Sequence, residues 1–198
     1  MNDQPTGVAP DATEAEEYKS RLAGTLGMSL FIIVVSMLFA ASVIAYLIVR
    51  LRHPEWDNPP LPVWIYVSTF LIIGSGMTMQ LALGSFRVNR ISLGNMSLLI
   101  TLVLAVLYLL SQLMAWSTLV RSGVFAESSL YAFSFYMLTV LHAIHVLGGL
   151  FPMTTMTLAA YRGRYSAERN LPVKYMTMYW HCLGIVWLVL FTVLLATT

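Results

Sequence analysis

The chain has 198 residues, of which 58% are hydrophobic and only 10% are charged, and its mean hydropathy is +0.75. A soluble domain has about 25% charged residues, so this composition excludes an ordinary soluble protein and predicts an integral membrane protein. The formal net charge of +2 is too small for a nucleic-acid-binding surface. The single cysteine, Cys182, excludes an internal disulfide.

Residues 1–21 form a polar, acidic N-terminal tail. Five acids stand there against two basic residues, Lys19 and Arg21. A secretory signal is basic at its start and a mitochondrial transit peptide is poor in acids, so neither is predicted. We expect the tail to be mobile until it meets the membrane or a partner, and one transmembrane domain to occupy residues 22–198.

Five apolar stretches are each long enough to cross a bilayer, which requires about 20 residues in a helix. They lie at about residues 22–49, 62–84, 93–119, 130–160 and 173–197. The sequence therefore predicts an all-α fold, an integral membrane bundle of five transmembrane helices. The loop at residues 53–62 contains four prolines, which exclude a helix and predict a stiff extended crossing.

The distribution of Lys and Arg predicts the orientation of the bundle. Eight of the eleven basic residues lie in the tail, the second loop and the fourth loop. Cytoplasmic loops carry an excess of positive charge, so the N-terminus is expected in the cytoplasm and the C-terminus on the outer side. The loops are short, so successive helices are expected to be antiparallel neighbours.

None of the five spans contains an Asp or a Glu. Proteins that move protons or ions usually keep an acid at membrane depth, because only function compensates for so costly a residue. The acid-free spans therefore favour a subunit that packs and binds lipid, and they predict no catalytic residue. A small transporter is the less favoured interpretation.

Three histidines at membrane depth raise the alternative of a haem b-binding membrane anchor. His142 and His145 share a face of the fourth span, and His181 lies in the fifth. By the helical rise, His181 lies about 14 Å and His145 about 26 Å from the cytoplasmic ends of their helices. The two histidines therefore differ in depth by about 12 Å, which disfavours a haem held by both of them. The favoured interpretation is neutral histidines that form hydrogen bonds between helices or to lipid headgroups. No metal site is predicted.

Gln112 lies one helical turn from both Tyr108 and Trp116, which predicts a polar-aromatic stripe on the third span. An interhelical hydrogen bond of Gln112, worth about 0.6–2 kcal/mol, is the favoured interpretation.

Arg87 and Arg90 of the second loop are placed to bind anionic headgroups, at about 1 kcal/mol each.

Small residues in the spans predict close helix contacts, because van der Waals packing replaces the missing hydrophobic drive in lipid. The glycines concerned include Gly24, Gly27, Gly76, Gly148 and Gly149.

Two runs in the C-terminal half resemble subunit III of the haem–copper terminal oxidases. The run from Phe135 reads FYMLTVLHAIHVLGGL and the run from Tyr179 reads YWHCLGIVWLVLF. The family has a Thr-x-x-His-x-x-His-Val-x-x-Gly run in one helix and a Tyr-Trp-His…Val-Trp run in its last helix. Weaker likeness is found in GMSLFII from Gly27, in LPVWIYVSTFLIIGSGMTM from Leu61 and in the Gln112–Trp116 pair. The resemblance covers about residues 22–198.

The resemblance implies the five-helix form found in bacterial quinol oxidases and many bacterial cytochrome oxidases. It implies the bacterial cytoplasmic membrane, a periplasmic C-terminus, and a non-catalytic subunit docked on subunit I beside other oxidase subunits. Haem and copper are then expected on subunit I and no redox cofactor on this chain, which would hold phospholipid and sustain proton uptake and turnover. The residues inferred or implied for lipid or interhelical polar contacts are His142, His145, His181, Trp180, Gln112, Trp116, Arg87 and Arg90.

Three acids usual in the family are missing here. Their positions are Val35 in the first span, Ala115 in the third and Gly184 in the fifth. Their loss predicts that a proton-related role of the family is not retained intact. It also keeps open a related subunit III-like protein associated with nitric oxide reductases.

Overall fold

The computed structural model describes residues 12–52, 61–127 and 129–197. Within these ranges the chain forms five helices and no strand: α1 (Ala12–Arg52), α2 (Val63–Arg87), α3 (Ile91–Arg121), α4 (Leu130–Tyr161) and α5 (Leu171–Thr197). Each helix is long and apolar enough to cross a membrane. The predicted all-α fold class with five transmembrane helices is confirmed.

The helices α1, α2 and α3 extend beyond the predicted apolar spans. α1 begins at Ala12, within the predicted tail, and α3 ends at Arg121. Arginines occupy the last turn of all three helices, where a positive charge interacts favourably with the carbonyl end of the helix dipole. Residues 1–11 of the predicted tail, and the proline-rich loop except Leu61 and Pro62, lie outside the described residues.

A three-residue turn, 88–90, joins α2 to α3 and makes them an antiparallel hairpin. Asn89 adopts a left-handed conformation with φ 57°, which Asn tolerates better than most residues. The backbone N–H of Arg90 then donates to the carbonyl of Ser85 at 2.8 Å. α5 packs against α1, α2 and α4, so it holds the hairpin to the rest of the bundle.

Contacts between distant parts of the chain define the two ends of the bundle. The hydroxyl of Tyr175, near the start of α5, donates to the carbonyl of Arg21 in α1 at 3.1 Å. The hydroxyls of Tyr46 and Thr197 lie 2.6 Å apart at the other end, so α1 and α5 run parallel. The rings of Phe86 and Tyr165, with centroids 6.0 Å apart, place the end of α2 beside the α4–α5 loop.

One end of the bundle therefore collects most of the positive charge. We call it the basic end, and its members are Lys19, Arg21, Arg87, Arg90, Arg162, Arg164, Arg169 and Lys174.

α1 is the most exposed helix. Only 17% of its apolar window is buried, against 33–50% for the other four. Its outward side chains, such as Leu30, Met37 and Ile44, are apolar, as contact with lipid requires.

The predicted close contacts at glycines are found at some positions and not at others. A Cβ at Gly24 would lie 2.8 Å from the hydroxyl of Tyr175, and a Cβ at Gly149 would lie 2.6 Å from the ring of Tyr179. The prediction is wrong for Gly27 and Gly148, because a Cβ there would meet nothing within 4 Å. Both glycines face out of the bundle.

Candidate functional site

Two tryptophans of α5 donate hydrogen bonds to hydroxyls on α2. The indole of Trp180 donates to Ser75 Oγ and that of Trp187 to Thr69 Oγ1, each at 3.0 Å. Both indoles are fully buried, and each hydroxyl in turn donates to a carbonyl of its own helix. Polar groups in hydrocarbon must be satisfied by the protein itself, and these bonds achieve it. They fix the rotation and depth of α5 against α2.

The third helix makes equivalent bonds on both sides. Gln112, fully buried, donates from Nε2 to Ser68 Oγ on α2 at 2.8 Å. Trp116, half-buried, donates from its indole to Thr139 Oγ1 on α4 at 3.1 Å. These two predicted residues therefore connect three helices. Together with the Trp180 and Trp187 bonds they form what we call the core network.

His142 lies inside the bundle rather than at its surface. Its ring is fully buried and packs on Phe39, Tyr108 and Trp187, with ring centroids 5.8, 5.9 and 5.2 Å away. Neither ring nitrogen has a hydrogen-bond partner within the described residues, and the same holds for the hydroxyl of Tyr108. The hydrogen bond predicted for His142, to another helix or to a lipid headgroup, is therefore wrong within the described residues, because the enclosed ring packs against aromatic side chains and does not reach the lipid-facing surface.

His145, one turn further along α4, lines a groove between α1, α4 and α5. Its Nδ1 lies 2.8 Å from the carbonyl of Leu141, which only accepts, so Nδ1 carries the proton. The groove, which we call the α1–α4–α5 groove, has a volume of about 750 Å³.

At the basic end this groove is lined by Arg164, Tyr165 and Tyr175. Burial raises the pKa of the Tyr165 phenol and the neighbouring Arg164 guanidinium opposes this, so the hydroxyl stays protonated at neutral pH and can donate. The mouth of the groove thus offers a positive charge and the Tyr165 phenol as a donor, since the Tyr175 hydroxyl already donates to the carbonyl of Arg21. Its deeper wall is formed by the apolar surface around Gly148 and Pro152.

A second groove, which we call the α2–α5 groove, has a volume of about 800 Å³. It brings together three of the predicted residues, Trp180, His181 and Arg90. The side chains of His181 and Gln80 form a hydrogen bond across it, with Nε2 and Oε1 3.1 Å apart. Arg87 is exposed at the end of α2, and it is not among the residues that line the groove.

The three membrane-depth histidines occupy three separate environments. His142 is enclosed in the core, His145 lines the α1–α4–α5 groove, and His181 lines the α2–α5 groove. In the part of the chain that the structure describes, no three His, Cys, Asp or Glu residues are grouped so that they can hold a metal ion.

The hydroxyl acceptors on α2 and the Gln80–His181 pair were not predicted from the sequence. The available signal was the presence of both Trp180 and Trp187 in α5, since a buried indole N–H needs a partner. That requirement predicts hydroxyls on a neighbouring helix, although it does not identify them.

Residues 19–196 match the sequence profile of cytochrome c oxidase subunit III. The chain is 26% identical to the cytochrome c oxidase subunit 3 of Thermostichus vulcanus over 205 aligned positions, which cover 100% of this chain and 97% of that protein. It is 29% identical to the subunit 3 of a Synechocystis species over 170 positions, covering 83% and 72% of the two chains. It is 28% identical to a probable subunit 3 of Mycobacterium bovis over 145 positions, covering 71% and 70%. The chain therefore belongs to the cytochrome c oxidase subunit III family.

Proposed function

We propose that the chain is the non-catalytic third subunit of a respiratory haem–copper terminal oxidase. It packs on subunit I, which carries the haem and copper and reduces oxygen, and it lies beside the other subunits of the complex. The observation that carries this proposal is the family match over residues 19–196, almost the whole length of the bundle. The names of the relatives favour an oxidase over a nitric oxide reductase.

The core network supports a structural role for this subunit. The polar side chains of the network bind one another across α2, α3, α4 and α5, and such interhelical hydrogen bonds stabilise a membrane bundle. The separation of His142, His145 and His181 supports the location of the redox centres on subunit I. A haem held by two histidines of this chain would need two imidazoles in one cavity.

The orientation follows from the collected charge. The basic end faces the cytoplasm of a bacterium, in accord with the positive-inside rule, and the C-terminus of α5 lies in the periplasm. This places the start of α1 and the α4–α5 loop on the side from which an oxidase takes up protons.

The subunit holds an anionic phospholipid in the α1–α4–α5 groove. Arg164 offers the phosphate a positive charge, and Tyr165 and Tyr175 lie beside it. An acyl chain follows the apolar wall past Pro152 toward His145, which is about 24 Å from the end of α4 by the helical rise. One leaflet of the hydrocarbon layer is about 15 Å deep, so the acyl chain covers the part of this wall nearest the basic end while the headgroup stays at the interface.

This chain supports proton uptake by stabilising the complex. Val35 and Ala115, at the positions of two family acids, are buried at 4% and 0% exposure in an apolar core. With apolar residues in place of both acids, the spans 22–49 and 93–119 of these two helices contain no carboxylate at membrane depth. The subunit thus preserves the structure around subunit I rather than passing protons itself.

Purification of the complex through a tag on this chain tests the proposal. Subunit I and its haem spectrum are expected to co-purify, and a tagged chain that is recovered alone contradicts the proposal.

For the lipid site, Arg164→Glu is compared with Arg121→Glu, which reverses a charge at the opposite end. The first variant is expected to lower bound anionic lipid in mass spectrometry of the complex, and the second is not. Equal lipid content in the two variants contradicts the site.

A further inference from the structure

The Gln80–His181 pair faces out of the bundle at a depth where lipid tails are expected. Gln80 lies seven residues before the end of α2 at Arg87, about 10 Å along the axis. The 25 residues of α2 span about 37 Å, so about 4 Å of helix extends beyond each side of a hydrocarbon layer of about 30 Å. Gln80 therefore lies about 6 Å inside that layer by the same arithmetic.

The hydrogen bond to His181 satisfies only half of the Gln80 amide. Gln80 and His181 make one bond with each other, and no other partner for the amide is found within the described residues. Whichever way the amide is turned, one of its polar ends remains free. Gln80 is exposed, so the free end is directed to whatever covers this surface.

The groove around the pair is open to a close neighbour. Gly84 lies one turn beyond Gln80, and Gly184 lies one turn beyond His181; a Cβ at either glycine would meet nothing within 4 Å. At Gly76, one turn before Gln80, a Cβ would meet only the ring of His181, at 3.7 Å. A helix backbone can therefore approach α2 and α5 around the polar pair.

We propose that the α2–α5 groove is the face on which a transmembrane helix of the haem-bearing subunit docks, with a Ser, Thr, Asn or Gln side chain bonded to the Gln80 amide. An acyl chain fills the volume but offers no polar atom at this depth, whereas a hydroxyl or amide of a helix both donates and accepts. Such side chains are the usual hydrogen-bonding groups between membrane helices. The inference depends on the proposed function, because it names the face at which this chain meets the oxidase.

Photo-crosslinking in the intact complex tests the docking face. A photoreactive residue replaces Met77, which lines the groove and is 69% exposed, or Met114, which is 49% exposed on α3. We expect the haem-bearing subunit to be linked through position 77 and not through position 114. Adducts at position 77 that contain only lipid, only a second copy of this chain, or only a subunit without haem overturn the inference.

Retention of the chain on the detergent-solubilised complex is the second measurement. Gln80→Leu is expected to weaken retention about threefold to twentyfold, the effect of one interhelical hydrogen bond, and Gln80→Asn to restore part of it. Gly84→Leu should weaken retention by filling the groove, while Gly27→Leu, on the outer face of α1, should not. If the wild-type chain retains the haem-bearing subunit and all four variants retain it equally, the docking face is wrong and the proposed function stands. If the wild-type chain does not retain that subunit, the proposed function fails.

Discussion

Adjacent glycines of α4 allow a matched test of the α4–α5 contact. A Cβ at Gly149 would lie 2.6 Å from Tyr179 Cε1, 0.8 Å short of ordinary contact at 3.4 Å, while a Cβ at Gly148 would meet nothing within 4 Å. The tyrosine ring is not free to withdraw, because its hydroxyl donates to the carbonyl of His145 at 2.8 Å and its face packs on Phe31. Gly149→Ala therefore forces the two helices apart or breaks that bond.

The expected cost follows from these contacts. Overpacking of a filled core costs about 1–3 kcal/mol, and loss of the Tyr179 hydrogen bond adds about 1 kcal/mol. After the gain in helix propensity of up to about 1 kcal/mol that both variants share, Gly149→Ala should thus lower the free energy of unfolding by about 1–4 kcal/mol. Gly148→Ala should leave it unchanged or raise it by up to about 1 kcal/mol, since Ala has the higher helix propensity.

Reversible unfolding of the purified chain in mixed detergent micelles, followed by circular dichroism, measures both changes. The two variants differ by one position and carry the same substitution, so effects on expression and micelle binding are shared. Equal stabilities of Gly148→Ala and Gly149→Ala would refute the packing described for α4 and α5.

Three further predictions concern the core network, His142 and the basic end. Thr69→Val should lower the free energy of unfolding by about 0.6–1.7 kcal/mol, and Trp187→Phe should lower it by more, because it also leaves a cavity in the core. The double variant should cost less than the sum of the two; full additivity would show that the hydrogen bond contributes nothing. His142→Phe should leave stability unchanged or raise it, because neither ring nitrogen has a partner among the described residues, and the haem spectrum of the complex should not change. A marked loss of stability would contradict that packing. Charge reversal at Arg87 and Arg90 should lower the anionic lipid recovered with the complex by mass spectrometry, and unchanged lipid would argue that these arginines serve topology alone.

The existence of five helices was predictable because hydrocarbon thickness fixes the length of an apolar span, and acid-free runs of that length occur only five times. Helix ends were less predictable. α1 continues back to Ala12 through residues that are polar but compatible with a helix, so the end of the apolar run does not mark the end of the helix.

The faces of the helices could not be predicted. In a soluble protein the polar side of a helix shows which side is exposed to water. In this bundle both the core and the lipid are apolar, so the hydropathy pattern does not distinguish the core-facing side of a helix from its lipid-facing side. This is why Gly148 and Gly149 were expected to behave alike, and why His142 was not separated from His145. Only packing shows that Gly149 meets Tyr179 while Gly148 faces outward, and that His142 is enclosed while His145 lines a groove.

We expect this chain to support redox centres that another subunit carries. The most direct test is a visible absorption spectrum of the tagged complex and of the chain separated from it, together with identification of the subunits by mass spectrometry. We expect haem bands in the complex, the haem–copper subunit among its chains, and no Soret band from the separated chain. A Soret band that stays with the isolated chain, or a purified chain without an oxidase partner, would contradict it.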